Sequence, residues 1–204
     1  MKRLIGLTGS IASGKSLVSS MLRDEGLFVI DADVLSREIC VPGALGAQQI
    51  KKEFGEAVFD GNVLNRATLA AEIFVDDCKR KRLNEILHPL INTRAQQMAQ
   101  EYAAHKPNAI IVYDAALLIE SGAYNKVDEV WLVVCDDDVR LQRLMHRDGL
   151  SLERAHARMD SQMSQEEKRK FADVIIYNSE GVEQTRAQVK AILKSRRKDN
   201  DEQI

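Results

Sequence analysis

The segment Gly9–Ser16 constrains this chain more than any other, because it reads Gly-Ser-Ile-Ala-Ser-Gly-Lys-Ser between two structured stretches. The apolar run Leu4–Leu7 predicts a strand before it, and the apolar spacing after it predicts a helix that stops near Gly26. Strand, glycine-containing loop and helix form the context in which this pattern binds the phosphates of a nucleotide.

The residue types in this loop each have a physical reason. Gly9 and Gly14 permit backbone angles and close approaches that a Cβ would block. Backbone N–H groups at a helix N-terminus bind phosphate oxygens, and Lys15 adds a positive charge for the β- and γ-phosphates. The Ser16 hydroxyl is a ligand for Mg²⁺. We therefore expect the chain to bind a nucleoside triphosphate with Mg²⁺.

The bulk composition excludes several classes of protein. With 204 residues, 45% hydrophobic residues and a net charge of -2, the chain suits one folded domain or a domain with an insertion, and not a nucleic-acid binder driven by bulk charge. Its 3 cysteines are far apart, which fits a reduced compartment without disulfides or a cysteine zinc site. The sequence shows neither a signal peptide nor an apolar run of about 20 residues. We expect a cytoplasmic protein that binds no membrane.

Short apolar runs separated by helical patterns predict the strands of a sheet. The runs are Leu4–Leu7, Phe28–Ile30, Ala109–Tyr113, Glu129–Val134 and Val174–Tyr177. Several are continuously apolar, as buried parallel strands are. Alternating strands and helices predict an α/β fold, namely a five-stranded parallel sheet with helices on both faces, the three-layer P-loop NTPase fold.

The uneven spacing of these strands predicts two helical excursions. Residues 35–106 have helical patterns, with Asp60-Gly61 as a turn between helices, and we expect a substrate-binding insertion there. Residues of about 138–171 are helical in pattern and rich in arginine, and we expect a lid. The nucleotide-binding core would comprise residues 1–34 and 107–204.

Two carboxylates, Asp31 and Asp33, follow the second predicted strand on one face of the extended chain. Ligands of open α/β sheets lie beyond the carboxyl ends of the strands, so a carboxylate here can take the proton of an attacking hydroxyl. The alternative for either residue is the N-cap of the helix that follows.

The third predicted strand also ends in an acid, Asp114, which either helps to hold Mg²⁺ or serves as a cap. Glu120 follows a short apolar run and is a candidate for lining the acceptor pocket. Arg140, Arg143 and Arg147 share a helix face, and they either clamp a transferring phosphoryl group or form a solvated basic surface.

His88-Pro89 lies inside an apolar helical stripe, where a proline should kink or start a helix. His88 is either a substrate contact or a partly buried structural histidine. The histidines show no metal-ligand spacing.

The segment Asn125–Asp128 matches the Asn-Lys-x-Asp pattern with which GTPases read guanine. In GTPases this motif follows a strand, whereas here it precedes the strand Glu129–Val134. We therefore reject guanine recognition at this segment.

Taken together, these segments resemble the dephospho-CoA kinase family from about Leu4 to Gly181. The resemblance is carried by Gly6–Ser16, Val29–Asp33, His88–Ile91, Asp114–Glu120, Arg143–Leu150, Arg158–Gln162 and Ala172–Asn178. The chain departs from the family at Ser10 and Ala12, where glycine is usual, and at Ala116, where proline is usual. We expect the loop to keep its N–H donors if neither Ser10 nor Ala12 needs a positive φ.

The resemblance implies an enzyme that phosphorylates the ribose 3′-hydroxyl of dephospho-CoA, giving coenzyme A, with ATP and Mg²⁺. It implies three catalytic residues: Asp33 as the base, Lys15 and Arg143. The implied ATP-binding residues are Gly9, Ala12, Ser13, Gly14, Lys15, Ser16, Leu17, Arg147 and Asn178, with Ser16 contacting Mg²⁺ through ATP. The implied substrate-binding residues are Thr8, Asp33, His88, Leu117 and Glu120.

The two small-molecule substrates are the partners we expect, for a monomer or weak homo-oligomer that binds no nucleic acid. One alternative is a nucleoside or nucleotide monophosphate kinase, which shares the fold, the lid and the chemistry. The other is a regulatory GTP-binding module.

Overall fold

The computed structural model describes the backbone of residues 3–201 and the side chains of residues 3–197. In chain order its elements are β1 (Arg3–Gly9), α1 (Lys15–Asp24), β2 (Phe28–Asp31), α2 (Ala32–Glu38), α3 (Leu45–Phe54), β3 (Phe59–Asp60), β4 (Val63–Leu64), α4 (Arg66–Phe74), α5 (Asp77–His105), β5 (Ile110–Asp114), β6 (Glu129–Val134), α6 (Asp137–Asp148), α7 (Leu152–Asp160), α8 (Gln165–Arg169), β7 (Val174–Tyr177) and α9 (Val182–Asp201). Short 3₁₀ turns cover Glu56–Val58 and Ala123–Lys126.

The chain divides into two compact units. The first contains the described residues up to Ile30 and those from Glu101 onward. The large sheet has the strand order β2-β5-β1-β6-β7, and β1 pairs in parallel with both β5 and β6, as β6 does with β7. The predicted five-stranded parallel sheet with flanking helices is confirmed.

The core of the first unit explains why its strands are continuously apolar. Helices α1 and α9 pack against each other and against β1 and β7, which removes strand side chains from water. The buried cluster contains Ile5, Leu7, Val18, Met21, Leu22, Val112, Trp131, Val133, Ile176, Val189 and Leu193. Full burial of one such side chain contributes roughly 1.5–3 kcal/mol. This core anchors the ends of β1, β5 and β7, from which the functional loops emerge.

The second unit, Asp31–Gln100, contains α2 to α4 and most of α5 around its own apolar cluster. The prediction that Asp60-Gly61 joins two helices is wrong, because this turn joins β3 and β4, a short antiparallel pair. Gly61 adopts a φ of 62°, as a tight hairpin turn requires. Strands of two residues are too short to show an alternating pattern.

The predicted strand limits agree with the structure to within two residues, and β6 and β7 begin and end where predicted. The predicted division into a core, an insertion and a lid stays a prediction. Within the described residues, no helix has the length and apolar character to span a membrane.

Candidate nucleotide-binding and phosphoryl-transfer site

The loop between β1 and α1 has the predicted strand–loop–helix arrangement. Gly14 precedes α1 with a φ of 90°, a left-handed conformation that glycine adopts without a steric penalty. Among the described residues, no side chain caps this helix terminus. The N–H groups at the start of α1 are therefore available to an anion such as a phosphate.

Close packing explains why Gly9 and Gly14 are glycine. A Cβ on Gly9 would lie 2.9 Å from the Val133 carbonyl oxygen, which is too close. A Cβ on Gly14 would overlap the Nδ2 atom of Asn178. The loop is thus compressed between the end of β6 and the residue that follows β7.

Ala12 has a positive φ of 60°. The sequence predicts that the loop keeps its N–H donors if neither Ser10 nor Ala12 needs a positive φ, and Ala12 does not meet this condition. The Ser13 N–H donates to the Ser10 carbonyl over 3.1 Å, closing a four-residue turn in which Ala12 is third. A type II β-turn requires a positive φ at its third residue. Alanine adopts this conformation at a cost of about 1–2 kcal/mol that glycine avoids. Ser10, by contrast, is not among the described residues with a positive φ.

Two hydroxyls in the loop have unused hydrogen-bonding capacity. The Oγ atoms of Ser10 and Ser13 are buried and have no hydrogen-bond partner among the described residues. A buried polar group without a partner costs about 1–3 kcal/mol. Native proteins contain few such groups. Two of them in one loop are expected if a bound ligand supplies the missing hydrogen-bond partners.

Lys15 and Asp114 form an ion pair beside the loop, with side chains that are 15% and 3% exposed. Asp114 ends β5 and is level with Leu7 on the neighbouring strand β1. Its carboxylate therefore faces the loop lysine, and this is not the contact that a helix cap would make.

The residues near the loop fit Mg²⁺ held jointly with a nucleotide. Ser16 is exposed at the start of α1 and Asp114 supplies a carboxylate, so the available ligands are oxygens. Within the described residues, no cluster of three His, Cys, Asp or Glu side chains forms a metal site. Mg²⁺ is usually bound by one or two carboxylates together with substrate phosphates.

The structure separates the roles of Asp31 and Asp33. Asp31 is the N-cap of α2, and its Oδ1 accepts from the N–H groups of Asp33 and Val34 over 2.9 and 3.1 Å. Asp33 lies in the first turn of α2, so the alternative that Asp33 caps the helix is wrong. Its side chain is exposed and, among the described residues, accepts no hydrogen bond.

Arg140 does not belong to a solvated basic surface. It is 5% exposed, its Nε donates to the Ile11 carbonyl over 3.1 Å, and its Nη1 donates to Asp137 over 2.6 Å. This guanidinium therefore holds the phosphate-binding loop from α6.

Arg143 borders the same loop, while Arg147 lies in an exposed ion pair. The Nη1 atom of Arg143 would be 3.7 Å from a Cβ on Gly14, and it donates to Cys135 Sγ over 3.4 Å. Arg147 donates to Asp148 over 2.7 Å. Hydrogen bonding from Arg147 holds the pKa of the Asp148 carboxyl below its usual value. Of these two arginines, Arg143 is the better placed to contact a phosphate in this conformation.

The three predicted substrate residues near the end of β5 have different environments. The Glu120 carboxylate pairs over 2.7 Å with Lys168, whose side chain is 0% exposed. The hydroxyl of Thr8 is buried and donates to the Ala116 carbonyl over 3.1 Å. Leu117 is half-exposed. Substrate contact by these residues stays a prediction.

Asn178 follows β7 as predicted, and both ends of its buried amide contact the protein. Its Nδ2 donates to the Ser13 carbonyl over 2.8 Å, and its Oδ1 accepts from Thr185 Oγ1 over 2.9 Å. The amide keeps a second N–H and a second oxygen lone pair, so these two bonds do not exclude contact with ATP. ATP binding by Asn178 stays a prediction.

His88 lies in the long helix α5 and is half-buried. The helix neither begins nor ends at Pro89, so the alternative that a helix starts there is wrong, and a kink at Pro89 stays a prediction. The role of His88 stays a prediction.

The guanine-reading pattern lies at the opposite end of the sheet from the loop. Asp128 accepts from the Leu4 N–H over 2.6 Å and its own N–H donates to the Leu4 carbonyl over 2.7 Å. Leu4 is near the start of β1, whereas the phosphate-binding loop follows the end of that strand at Gly9. This arrangement supports the rejection of guanine recognition.

Sequence reasoning assigned no role to two residues of this region. Gln162 accepts the Ile11 N–H over 2.8 Å, and Lys168 is fully buried against Glu120. Gln162 lies in one of the segments that resemble the family, although its sequence position alone does not reveal its contact. A buried lysine in a charged segment leaves no pattern by which to find it.

Comparison with known proteins agrees with this geometry. The family model "Dephospho-CoA kinase" matches residues 3–184. The dephospho-CoA kinase of Syntrophotalea carbinolica is 45% identical over 191 residues, covering 93% of this chain and 90% of that protein. The dephospho-CoA kinase structure from Campylobacter jejuni is 32% identical with a TM-score of 0.71, covering 98% of this chain and 100% of that one.

A shikimate kinase from Acinetobacter baumannii, 16% identical with a TM-score of 0.53 over 98% of this chain and 95% of that one, shares the fold alone. The curated relative covers most of the chain, and the family model includes the loop and the segments that follow β5, β6 and β7. The chain belongs to the dephospho-CoA kinase family.

Proposed function

We propose that this chain transfers the γ-phosphoryl group of ATP to the ribose 3′-hydroxyl of dephospho-CoA, giving ADP and coenzyme A. The observation that carries the proposal is the family match over residues 3–184, which includes the compressed loop with its uncapped helix terminus. We place the reaction in the cytoplasm, with these two small molecules as the substrates.

Each residue would have a distinct task. The loop N–H groups and Lys15 bind the β- and γ-phosphates, and Arg143 contacts the charge that develops during transfer. Ser16 and Asp114 would hold Mg²⁺ together with the phosphates, and the ion would offset part of that charge. Asp33 accepts the proton of the 3′-hydroxyl. Two observations support this role. The Asp33 carboxylate is exposed, and it is not needed as the cap of α2 because Asp31 is the cap.

The two helical segments would serve the substrates. Residues 35–106 bind the CoA portion, with His88 as a contact, and residues of about 138–171 cover the phosphates. The second unit has its own apolar cluster, which supports an insertion that is packed as a unit of its own.

An assay of ADP release with a panel of acceptors tests the proposal. We expect turnover of dephospho-CoA to exceed that of AMP, CMP and dTMP by orders of magnitude, with Lys15→Ala as a control that loses activity on every acceptor. Equal or faster turnover of any nucleotide would instead identify a nucleotide kinase. Tight guanine-nucleotide binding without phosphoryl transfer would identify a regulatory module.

A further inference from the structure

We propose that Arg140 and Gln162 lock two adjacent peptides of the phosphate-binding turn, Arg140 the central one and Gln162 the one before it, and that Arg140 thereby sets the direction of the Ala12 N–H. The proposal rests on the proposed function in one respect, namely that this loop binds nucleotide phosphates. It assigns a positioning role to two side chains that contact neither substrate in the proposed mechanism.

Both backbone groups of Ile11 are held by side chains from outside the loop. Its N–H donates to Gln162 Oε1 over 2.8 Å, and its carbonyl accepts from Arg140 Nε over 3.1 Å. The first contact fixes the peptide before Ile11, and the second fixes the peptide between Ile11 and Ala12. Adjacent peptide orientations are therefore set from two separate elements.

The second of these peptides decides which way Ala12 points. A trans peptide is planar, so its N–H and C=O groups point in opposite directions. With the Ile11 oxygen held towards Arg140, the Ala12 N–H is directed to the other side of the turn. The backbone contains no cis peptide among the described residues, so this relation applies at Ala12.

The hydrogen bond from Arg140 to the Ile11 carbonyl opposes a rotation of the central peptide that would relieve strain at Ala12. Ala12 has a φ of 60° as the third residue of the turn, a conformation that costs alanine about 1–2 kcal/mol. Rotation of the central peptide converts a type II turn into type I, with a negative φ at the third residue. The rotation would relieve the strain at Ala12, but it would also turn the Ile11 oxygen away from Arg140 and reverse the Ala12 N–H.

The burial of Arg140 and its ion pair with Asp137 keep its guanidinium in contact with the loop. Arg140 is 5% exposed, and its Nη1 donates to Asp137 over 2.6 Å, which orients the guanidinium towards the loop. A net hydrogen bond contributes about 0.5–1.5 kcal/mol, or somewhat more when one group is charged. The contact of Arg140 with the Ile11 carbonyl is thus comparable in size to the strain that it offsets, and the contact of Gln162 fixes the peptide next to it.

Nucleotide binding measured by calorimetry with ADP, on full-length variants, tests the lock. Gln162→Ala and Arg140→Met should each raise the Kd by about three- to tenfold, as expected for the loss of one hydrogen bond that orders the loop. The double variant should weaken binding by much less than the product of the two single effects, because both side chains hold the same residue. The Tm of each variant, measured in parallel, shows that it is folded.

Gln188→Ala is the matched control. Like Gln162, Gln188 accepts a backbone N–H through its Oε1 atom, but the donor is Tyr177 in β7 and not the loop. We expect its Kd for ADP to stay within twofold of the parent. The lock is refuted if Arg140→Met or Gln162→Ala also binds ADP within twofold of the parent, or if Gln188→Ala weakens binding as much. A parent chain that binds no adenine nucleotide would refute the proposed function itself.

Discussion

The ammonium group of Lys15, at the start of α1, contacts the carboxylate of Asp114, at the end of the neighbouring strand β5. The contact is nearly buried, so the two charges are only weakly screened by solvent. A nucleotide that binds the loop would bring phosphate oxygens to Lys15 and a magnesium ion towards Asp114. The same pair is therefore expected to change partners when substrate binds.

Asp114→Asn tests whether this carboxylate serves the metal as well as the lysine. We expect the Mg²⁺ concentration for half-maximal activity to rise by at least about tenfold, a typical effect of removing one group that supports a metal site. The measurement is a Mg²⁺ titration of initial rates at saturating ATP. If the variant raises only the KM for ATP and leaves the Mg²⁺ midpoint unchanged, Asp114 orients Lys15 and does not hold the metal.

Asp33→Asn should lower kcat by roughly 10²–10⁴-fold, because the proposed base for the 3′-hydroxyl is lost. The Kd for ATP should stay near normal, since Asp33 is not part of the loop. Single-turnover rates and calorimetry with ATP measure the two quantities.

Asp31→Ala is the control for structural damage in the same turn. Asp31 caps α2, so this substitution should lower the free energy of unfolding by about 1 kcal/mol. Asp33→Asn removes one negative charge from the first turn of α2, so it should lower the free energy of unfolding by no more than about 0.3–1 kcal/mol. Full activity of Asp33→Asn would show that another group accepts the proton.

The buried pair Glu120–Lys168 should respond differently to the loss of each partner. Glu120→Gln leaves the fully buried ammonium group of Lys168 with neutral oxygens, such as the Ala116 carbonyl at 3.5 Å, in place of its counter-charge, and we expect a loss of about 3 kcal/mol in the free energy of unfolding. Lys168→Met leaves a carboxylate that is 23% exposed and can be hydrated, so its cost should be clearly smaller.

Urea unfolding of the two variants measures this difference, and the KM for dephospho-CoA measures substrate contact. An unchanged KM in Glu120→Gln would assign Glu120 to stability, whereas an increase with little loss of stability would support the predicted acceptor pocket. Equal destabilisation by the two substitutions would contradict the argument from burial.

The features that could be predicted from the sequence have local causes. The strand Glu129–Val134 is apolar throughout and appears with its predicted limits. The glycines of the loop predict a turn before α1, because few other residues fit the backbone conformation there. Such patterns depend on neighbouring residues along the chain, so a single sequence shows them.

The features that could not be predicted depend on contacts between distant segments. Gln162 reaches Ile11 across a separation of 151 residues, and Asn178 reaches Ser13 across 165. Ala12 shows the same limitation, because its positive φ depends on the turn that the surrounding segments hold. Asp31 and Asp33 were both candidates for the cap, and only the hydrogen-bond geometry distinguishes them.

Ala12→Gly tests the strain at the centre of the loop. Glycine at this position removes a penalty of about 1–2 kcal/mol, while its greater freedom in the unfolded chain costs about 0.4–1 kcal/mol. We therefore expect the free energy of unfolding to be unchanged or slightly raised, with the KM for ATP within about twofold of the parent.

The matched control is Ala157→Gly, at an exposed position inside α7. Because that alanine is helical, the same substitution should lower the free energy of unfolding by about 1 kcal/mol. Urea unfolding of both variants gives the comparison. If Ala12→Gly destabilises the protein as much as Ala157→Gly does, then the left-handed conformation at Ala12 carries no significant strain. The rotation of the central peptide that Arg140 is proposed to prevent would in that case have no driving force.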